Sequence, residues 1–189
     1  MVKQVLVAIA LLGLASSASA MSTTYNVVLG PEVVGATGSG TGTIVYDDEL
    51  HSLSIDTSWS GLSGTTTVAH IHCCVATPGA GTVGVAVTPN TLPGFPTGVT
   101  SGSYSIVLDL TLAATYTSAF LTGAGGTPAL AEAALFAGMN SGLAYLNIHS
   151  TTFPGGEIRD FLSVVPEPGV GLLVVAASAL LHLARRREA

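Results

Sequence analysis

The chain has 189 residues, 48% of them hydrophobic and only 8% charged, and its formal net charge is −6. Between Met21 and Val164 the only basic side chain is Arg159, against nine acidic ones. A protein that neutralises phosphates needs several Lys or Arg residues on one face. The composition therefore excludes nucleic acid as a partner, and it equally disfavours binding of the folded region to anionic lipid.

The first 20 residues have the pattern of a secretory signal peptide. Lys3 supplies the positive charge, Val5 to Leu14 form the apolar run, and Ala18-Ser19-Ala20 is a small-residue cleavage site. The apolar run is shorter than the roughly 20 residues that a membrane-spanning helix needs. We therefore expect residues 1–20 to be removed by signal peptidase and the protein to be exported, rather than held by an N-terminal anchor.

Residues 21–164 predict a single all-β domain. Leu53, Ile55 and Thr57 alternate with polar partners before Trp59, which is typical of a strand with one face on the core. Further short β-prone runs are separated by Gly-rich, Pro-rich or acidic turns: 25–29, 43–46, 67–73, 83–87, 103–110, 144–149 and 157–162. Many short strands of this kind indicate an antiparallel β-sandwich or a barrel-like fold.

One segment of the domain predicts a short helix. Thr127 has the character of an N-cap, Pro128 suits the first helical position, and Gly138 lies near the expected end. Leu130 recurs at helical spacing with Ala133, Ala134 and Ala137, so this face is expected to lie on the sheet.

Residues 165–189 form a separate C-terminal tail. The triplet Pro166-Glu167-Pro168 is followed by an apolar run at about 169–184 and by the cluster Arg185, Arg186 and Arg187. The prolines interrupt preceding structure, and the apolar run is just long enough to cross a thin bilayer as a helix. The arginines would hold its end on the cytoplasmic side. These features alone predict a transmembrane stop-transfer helix.

The same three features, in this order, resemble the PEP-CTERM sorting signal. The resemblance implies recognition by an exosortase, cleavage near Pro166-Glu167-Pro168, and delivery to the cell surface or extracellular polymer of a Gram-negative bacterium. The expected location is the cell surface or the exterior, with at least transient anchoring through the helix. A plain single-pass anchor is the alternative.

Two segments of the domain carry a pattern of histidines. His70 and His72 lie on one face of a predicted strand, and Tyr145, Asn147 and His149 share a face of a later strand. If these two faces meet, three imidazoles converge. A His-x-His pair with one distant His is a ligand set that holds zinc or copper.

The alternative for these segments is a structural hydrogen-bonded network. Its members would be Tyr145, Asn147, Glu157 and Arg159 together with the histidines, and Arg159 would form an ion pair with a carboxylate. Glu157 lies two residues from Arg159 on the same predicted face. His51, beside the acidic turn at 47–49, is expected to be solvated.

The two cysteines, Cys73 and Cys74, are adjacent, and the chain has no third cysteine. Free thiols, a strained disulfide between neighbours, and metal coordination all remain open for them. In the metal hypothesis, Cys73 or Cys74 is a candidate fourth ligand beside His70, His72 and His149.

The two histidine segments together resemble the CHRD (chordin-type) module. Its hallmarks are an Ala-His-Ile-His strand, found here at 69–72, and a Tyr-x-Asn-x-His strand followed by Pro-Gly-Gly-Glu-Ile-Arg, found here at 145–149 and 154–159. The resemblance extends over roughly 25–162 and implies an extracellular binding domain, with a polysaccharide or a surface protein as partner. The Cys73-Cys74 pair departs from the module, so the resemblance implies no role for it.

Motifs of common enzymes are missing from the sequence. There is no Gly-x-Ser-x-Gly elbow, and the Gly-rich segment 79–84 lacks the Lys and the following helix of a phosphate-binding loop. The sequence thus favours a non-enzymatic surface or matrix protein, with a zinc-binding or copper-binding protein as the second hypothesis.

Overall fold

A computed structural model of the chain describes residues 22–166. The expected signal peptide (1–20) and most of the expected sorting tail, including Glu167, Pro168, the helix at about 169–184 and the three arginines, lie outside the described residues. Within residues 22–166, no helix is long and apolar enough to cross a membrane.

The described region contains ten strands and two α-helices. In chain order these are β1 Ser22–Val27, β2 Gly30–Pro31, β3 Ser39–Asp47, β4 Ser52–Ser60, β5 Thr66–His72, β6 Val85–Val87, β7 Gly102–Asp109, α1 Ser118–Gly123, α2 Pro128–Asn140, β8 Tyr145–Ser150, β9 Ile158–Phe161 and β10 Ser163–Val164. A 3₁₀ turn, Ala113–Thr115, precedes α1.

The strands form two antiparallel five-stranded sheets. The first has the order β10-β1-β3-β4-β7 and the second the order β2-β9-β8-β5-β6. Alternation places Leu53 and Ile55 of β4 on the inner face of the first sheet, and Ile71 and Ile148 on the inner face of the second. These side chains belong to one continuous core. The fold is therefore a β-sandwich, which confirms the all-β prediction and selects the sandwich over the barrel.

The predicted helix is present as α2, but its predicted buried face was wrong. The Thr127 side chain accepts a hydrogen bond from the backbone N–H of Leu130, as expected of an N-cap, and the helix continues to Asn140. Leu130 is 50% exposed, whereas Ala131, Leu135 and Met139 are completely buried. The alanines at 133, 134 and 137 carried little information, because Ala is compatible with either face of a helix.

Helix α1 was not predicted from the sequence. This helix has only six residues, too few for a hydrophobic period to be visible. Its N-cap, Thr117, accepts a hydrogen bond from the N–H of Phe120 and donates its hydroxyl to the carbonyl of Val85. The short helix is thus attached to the edge strand β6 of the second sheet.

Candidate metal centre

Strands β5 and β8 are neighbours, and their register brings the histidine segments together. His70 pairs with Asn147 and His72 with Tyr145 across the antiparallel ladder. Because side chains alternate along a strand, these four residues and His149 lie on the outer face of the second sheet. One ligating atom from each of His70, His72 and His149 lies within 4.8 Å of the others. The predicted convergence of the three imidazoles is therefore present.

Loops cover this outer face, so that the three histidines are buried even though they point away from the core. Each ring has one nitrogen within hydrogen-bond distance of a backbone carbonyl oxygen of a loop: Nε2 of His70 at 2.8 Å from Asn90, Nδ1 of His72 at 2.7 Å from Val83, and Nδ1 of His149 at 2.8 Å from Pro154. A carbonyl oxygen only accepts hydrogen bonds, so each of these nitrogens carries its proton and donates it.

The three carbonyls thereby set the tautomer of each ring. In a neutral imidazole the second nitrogen then keeps a lone pair, and these nitrogens are Nδ1 of His70, Nε2 of His72 and Nε2 of His149. The His70 and His149 nitrogens are 3.3 Å apart. Nε2 of His72 is buried and has no hydrogen-bond partner among residues 22–166. In neutral rings the His70 and His149 nitrogens therefore meet with no proton between them, and the His72 nitrogen has no partner among the described residues.

Burial keeps two of these rings neutral. It lowers the pKa of His70, and the neighbouring His149 and His72 lower it further, against the opposing effect of the hydrogen bond to Asn90. Burial likewise lowers the pKa of His72, with smaller contributions from His149 and Arg159, against its hydrogen bond to Val83. The neutral imidazole is the form that binds a metal ion.

Tyr145 and Arg159 attach the loop at 81–83 to the sheet beside His72. The Tyr145 ring stacks on the His72 ring, with centroids 4.6 Å apart and an interplanar angle of 5°. The Tyr145 hydroxyl donates to the Val83 carbonyl at 3.3 Å, and Arg159 Nη1 donates to the Gly81 carbonyl at 3.1 Å. The Arg159 guanidinium also lies 5.0 Å from the centre of the Tyr145 ring. The carbonyl that orients His72 is therefore held by neighbouring side chains.

Arg159 pairs with Glu32, a residue that no sequence motif indicates. The two side chains approach to 3.3 Å, and the Asn147 amide donates to the other Glu32 oxygen at 2.6 Å. Gly156 lies against this group with a φ of +132°, and a Cβ at this position would collide with the Glu32 carboxylate and the Asn147 amide. Glu32 follows β2, far from Asn147 and Arg159 in sequence, so no local spacing pointed to it.

Glu157 has a different role from the one expected beside Arg159. It is completely buried and accepts hydrogen bonds from the backbone N–H of Ser63 at 2.6 Å and from the Ser63 hydroxyl at 2.7 Å. Burial raises the pKa of Glu157, but hydrogen bonds from Ser150, Ser63 and the backbone of Gly64 outweigh it and lower the pKa below its usual value. Glu157 thus holds the turn after β4, apart from the Glu32–Arg159 pair.

Comparison with known protein families agrees with this arrangement of motifs. The sequence model of the CHRD domain matches residues 18–162, which is more than half of the chain. The chain belongs to the CHRD family. Family membership points to an extracellular or secreted binding domain. Comparisons with curated proteins and with solved structures gave no match.

The hallmark residues of this CHRD domain divide into two groups by position. His70, His72 and His149 form the cluster in which one ligating atom of each ring lies close to the others. Asn147, Gly156 and Arg159 hold or accommodate Glu32, as Tyr145 holds the loop over His72. The metal-site and network hypotheses thus describe adjoining parts of one face, since the polar network supports the loops that orient the histidines.

In this CHRD domain the two cysteines form a disulfide with each other, across a cis peptide bond. A metal ion binds the thiolate form of cysteine, which a disulfide does not provide. Cys73 and Cys74 are therefore not metal ligands in this state, and the candidate ligands are the three histidines alone. The disulfide instead borders an apolar cavity of about 360 Å³, together with Val85, Phe120 and Ala134.

His51, expected to be solvated, is half-exposed but forms an ion pair. Its Nδ1 lies 3.0 Å from both carboxylate oxygens of Glu132, which is buried and also accepts the Tyr46 hydroxyl. The hydrogen bond and the charge of Glu132 raise the pKa of His51. His51 lies on the turn between β3 and β4 and does not belong to the histidine cluster.

Proposed function

We propose that this CHRD domain is an extracellular metal-binding domain that holds zinc or copper through His70 Nδ1, His72 Nε2 and His149 Nε2. One observation carries the proposal. Three loop carbonyls accept hydrogen bonds from one nitrogen of each ring, so that in the neutral rings the opposite nitrogens carry lone pairs, and one ligating atom of each ring lies within 4.8 Å of the others. Lone pairs repel one another, and a shared cation removes the repulsion.

The spacing of the cluster suits imidazole coordination. Two nitrogens bound to one tetrahedral zinc at about 2.0–2.1 Å are about 3.3 Å apart. The His70 and His149 nitrogens have a separation of 3.3 Å. One ligating atom of each of the three rings lies within 4.8 Å of the others, which is at most about 1.5 Å wider than the separation of two zinc-bound nitrogens.

The surroundings of the cluster support a metal site. Histidine ligands usually donate their second ring N–H to a carbonyl or carboxylate, which fixes the ring and makes it a better ligand. All three rings have such a partner. Imidazole suits zinc and copper, and a site with three protein ligands leaves one position for water or another ligand. We propose a binding role rather than a catalytic one, because the sequence carries no catalytic motif.

The test is metal stoichiometry of the purified secreted protein after reconstitution with zinc or copper. We expect one equivalent bound per chain, and loss of that equivalent in His149→Ala. His51→Ala is the matched control, because it removes a histidine outside the cluster and should keep the metal. A wild-type protein without stoichiometric metal, or a His149→Ala variant that binds as wild type does, would contradict the proposal.

Export and sorting form a second part of the proposal, and the sequence supports them. We propose that signal peptidase removes residues 1–20 and that an exosortase recognises the tail from Pro166 to Arg187, placing the domain on the cell surface. The support is the order of triplet, apolar run and arginine cluster. Alanine replacement of Pro166, Glu167 and Pro168 should leave an uncleaved, membrane-retained product in a host with an exosortase. Unchanged processing would remove this part of the proposal.

We also propose that the domain binds a ligand at the cell surface. CHRD membership and the tail support an extracellular polysaccharide or a surface protein as partner. A binding screen against cell-surface extract, run with metal-free and with metal-loaded protein, tests it. Absence of any retained component in both forms would count against a surface-binding role and leave the metal site unaffected.

A further inference from the structure

The four edges of the two sheets differ greatly in length. The edge strands β10 and β2 have two residues each and β6 has three, whereas β7 has eight, from Gly102 to Asp109. β7 pairs with β4 at every position from Gly102 to Asp109, and this pairing contains no register shift. It is thus the one long and regular edge of the described sandwich.

The outer edge of β7 has open backbone groups. In an antiparallel ladder about half of the backbone N–H and C=O groups of an edge strand point away from its only neighbour. Among the described residues, no hydrogen bond outside the β4 ladder reaches the backbone of 103–108. The first such bond is at the strand end, where the Thr115 hydroxyl donates to the carbonyl of Asp109.

β7 lacks three of the features that usually protect an edge strand, namely Lys, Pro and a bulge. Natural edges carry Lys, Pro, a bulge or a covering loop, and these features prevent pairing with another chain. β7 has neither Lys nor Pro, and its only charge is Asp109 at its end. Ser103 and Ser105 on its outer face are small, and Val107 is 68% exposed. An unprotected edge of this length is a template for another strand.

We propose that β7 pairs antiparallel with β7 of a second copy about a twofold axis, so that the two five-stranded sheets become one continuous sheet across the dimer. The strand is self-complementary in this arrangement. A register centred on Ile106 places Asp109 opposite Ser103 of the partner and Val107 opposite Ser105, so that no like charges face each other. This inference is independent of the metal site, which lies on the other sheet.

The test is sedimentation velocity of the secreted full chain over a wide range of concentration. Wild type should form a dimer in a concentration-dependent way. Val107→Lys places an ammonium group on the edge, and we expect dissociation of the dimer to be favoured by about tenfold or more. Ser58→Lys is the matched control, because it adds the same charge to the exposed face of the interior strand β4 and should leave dimerisation unchanged.

Hydrogen exchange of the same samples locates the interface. Amides of β7 should exchange more slowly in the wild-type dimer than in Val107→Lys, and circular dichroism should show that both variants are folded. A wild-type protein that stays monomeric, a Val107→Lys variant that dimerises as wild type does, or a dimer without slower exchange in β7 would each overturn the inference.

Discussion

The two outer faces of the sandwich follow the same alternating sequence pattern, but one face is exposed and the other is buried. On the first sheet, outward residues such as Thr41, Ser58 and Ser105 are small, hydroxylated and exposed. On the second sheet, the outward residues His70, His72, Tyr145 and His149 carry large ring side chains, and all four are buried. The loops make the difference, because those that supply the three carbonyls fold over the second sheet only. The burial of the outer-face side chains and the orientation of the three histidines therefore depend on which face the loops cover.

The largest predicted difference between the two faces is the effect of a bound metal ion on the free energy of unfolding. An ion that binds only the folded state stabilises it by about 4 kcal/mol when present at a thousand times its dissociation constant. We expect excess zinc to raise the free energy of unfolding by about this amount in wild type, and a chelator to abolish the effect. Chemical denaturation with and without zinc measures it.

The same experiment on two variants sharpens this comparison. Ser58→Ala, on the exposed face, should respond to zinc as wild type does, whereas His70→Ala should not respond. An equal response in all three proteins would place the stabilising ion elsewhere.

Gly156→Ala should be the most damaging change among the supporting residues. Alanine adopts a φ of +132° only with strain, and its Cβ would displace the Glu32–Asn147 pair. We expect a loss of about 3 kcal/mol in the free energy of unfolding. Gly155→Ala is the matched control, because a Cβ there has no atom within 4 Å and should cost little. Equal losses in the two variants would show that Gly156 is not constrained by this pair.

Tyr145→Phe should have a moderate effect confined to the covered face. The substitution removes the hydroxyl that donates to the Val83 carbonyl but keeps the ring stacked on His72. The expected loss is about 1 kcal/mol of stability, together with weaker zinc affinity, since Val83 orients His72. Ser103→Ala, on the other sheet, should change stability by less than about 0.5 kcal/mol and leave zinc affinity unchanged. Unchanged zinc affinity in Tyr145→Phe would remove the link between this loop and the ligand.

The smallest effect is expected at His51, outside both faces. Glu132 raises the pKa of His51, and Asp48 and Asp109 act in the same direction. A base with a raised pKa contributes its full stabilisation below its unfolded pKa of about 6.5, and this is lost as the pH rises through the folded value. The stability difference between wild type and His51→Gln should therefore be larger at low pH than at high pH. Because His51 is half-exposed, the difference is small, and NMR titration of His51 gives the direct check. A pKa at or below its usual value would contradict the pairing with Glu132.

The alternation of side chains was enough to predict an all-β sandwich or barrel and to place the histidines on polar strand faces, whereas the pairing of β5 with β8 shows that these faces meet. A period of two places His70 and His72 on one face of their strand, and Tyr145, Asn147 and His149 on one face of theirs. The predicted metal ligands Cys73 and Cys74 lie beyond the end of β5, where the alternation no longer determines direction. These adjacent cysteines could have been free thiols, a disulfide or metal ligands, and no sequence pattern distinguishes these three states.

Contacts between distant parts of the chain were not predictable from the sequence. Glu32 binds Asn147 from 115 residues away, and the nearby Glu157 turns to Ser63 instead of Arg159. The backbone carbonyls that orient the histidines have no sequence signature at all, because every residue has one. For α2, the helix was predictable from Thr127 and Pro128, but an alanine-rich segment does not indicate which side is buried.

The use of backbone carbonyls at Val83, Asn90 and Pro154 has a consequence for how this site tolerates mutation. Replacing a side chain does not remove a carbonyl oxygen, so the ring orientation is insensitive to most point substitutions in these loops. Inserting or deleting one residue, in contrast, moves the carbonyl away from its imidazole. Among relatives of this domain that keep the site, we therefore expect the amino acids of these loops to vary while the lengths of the loops stay constant.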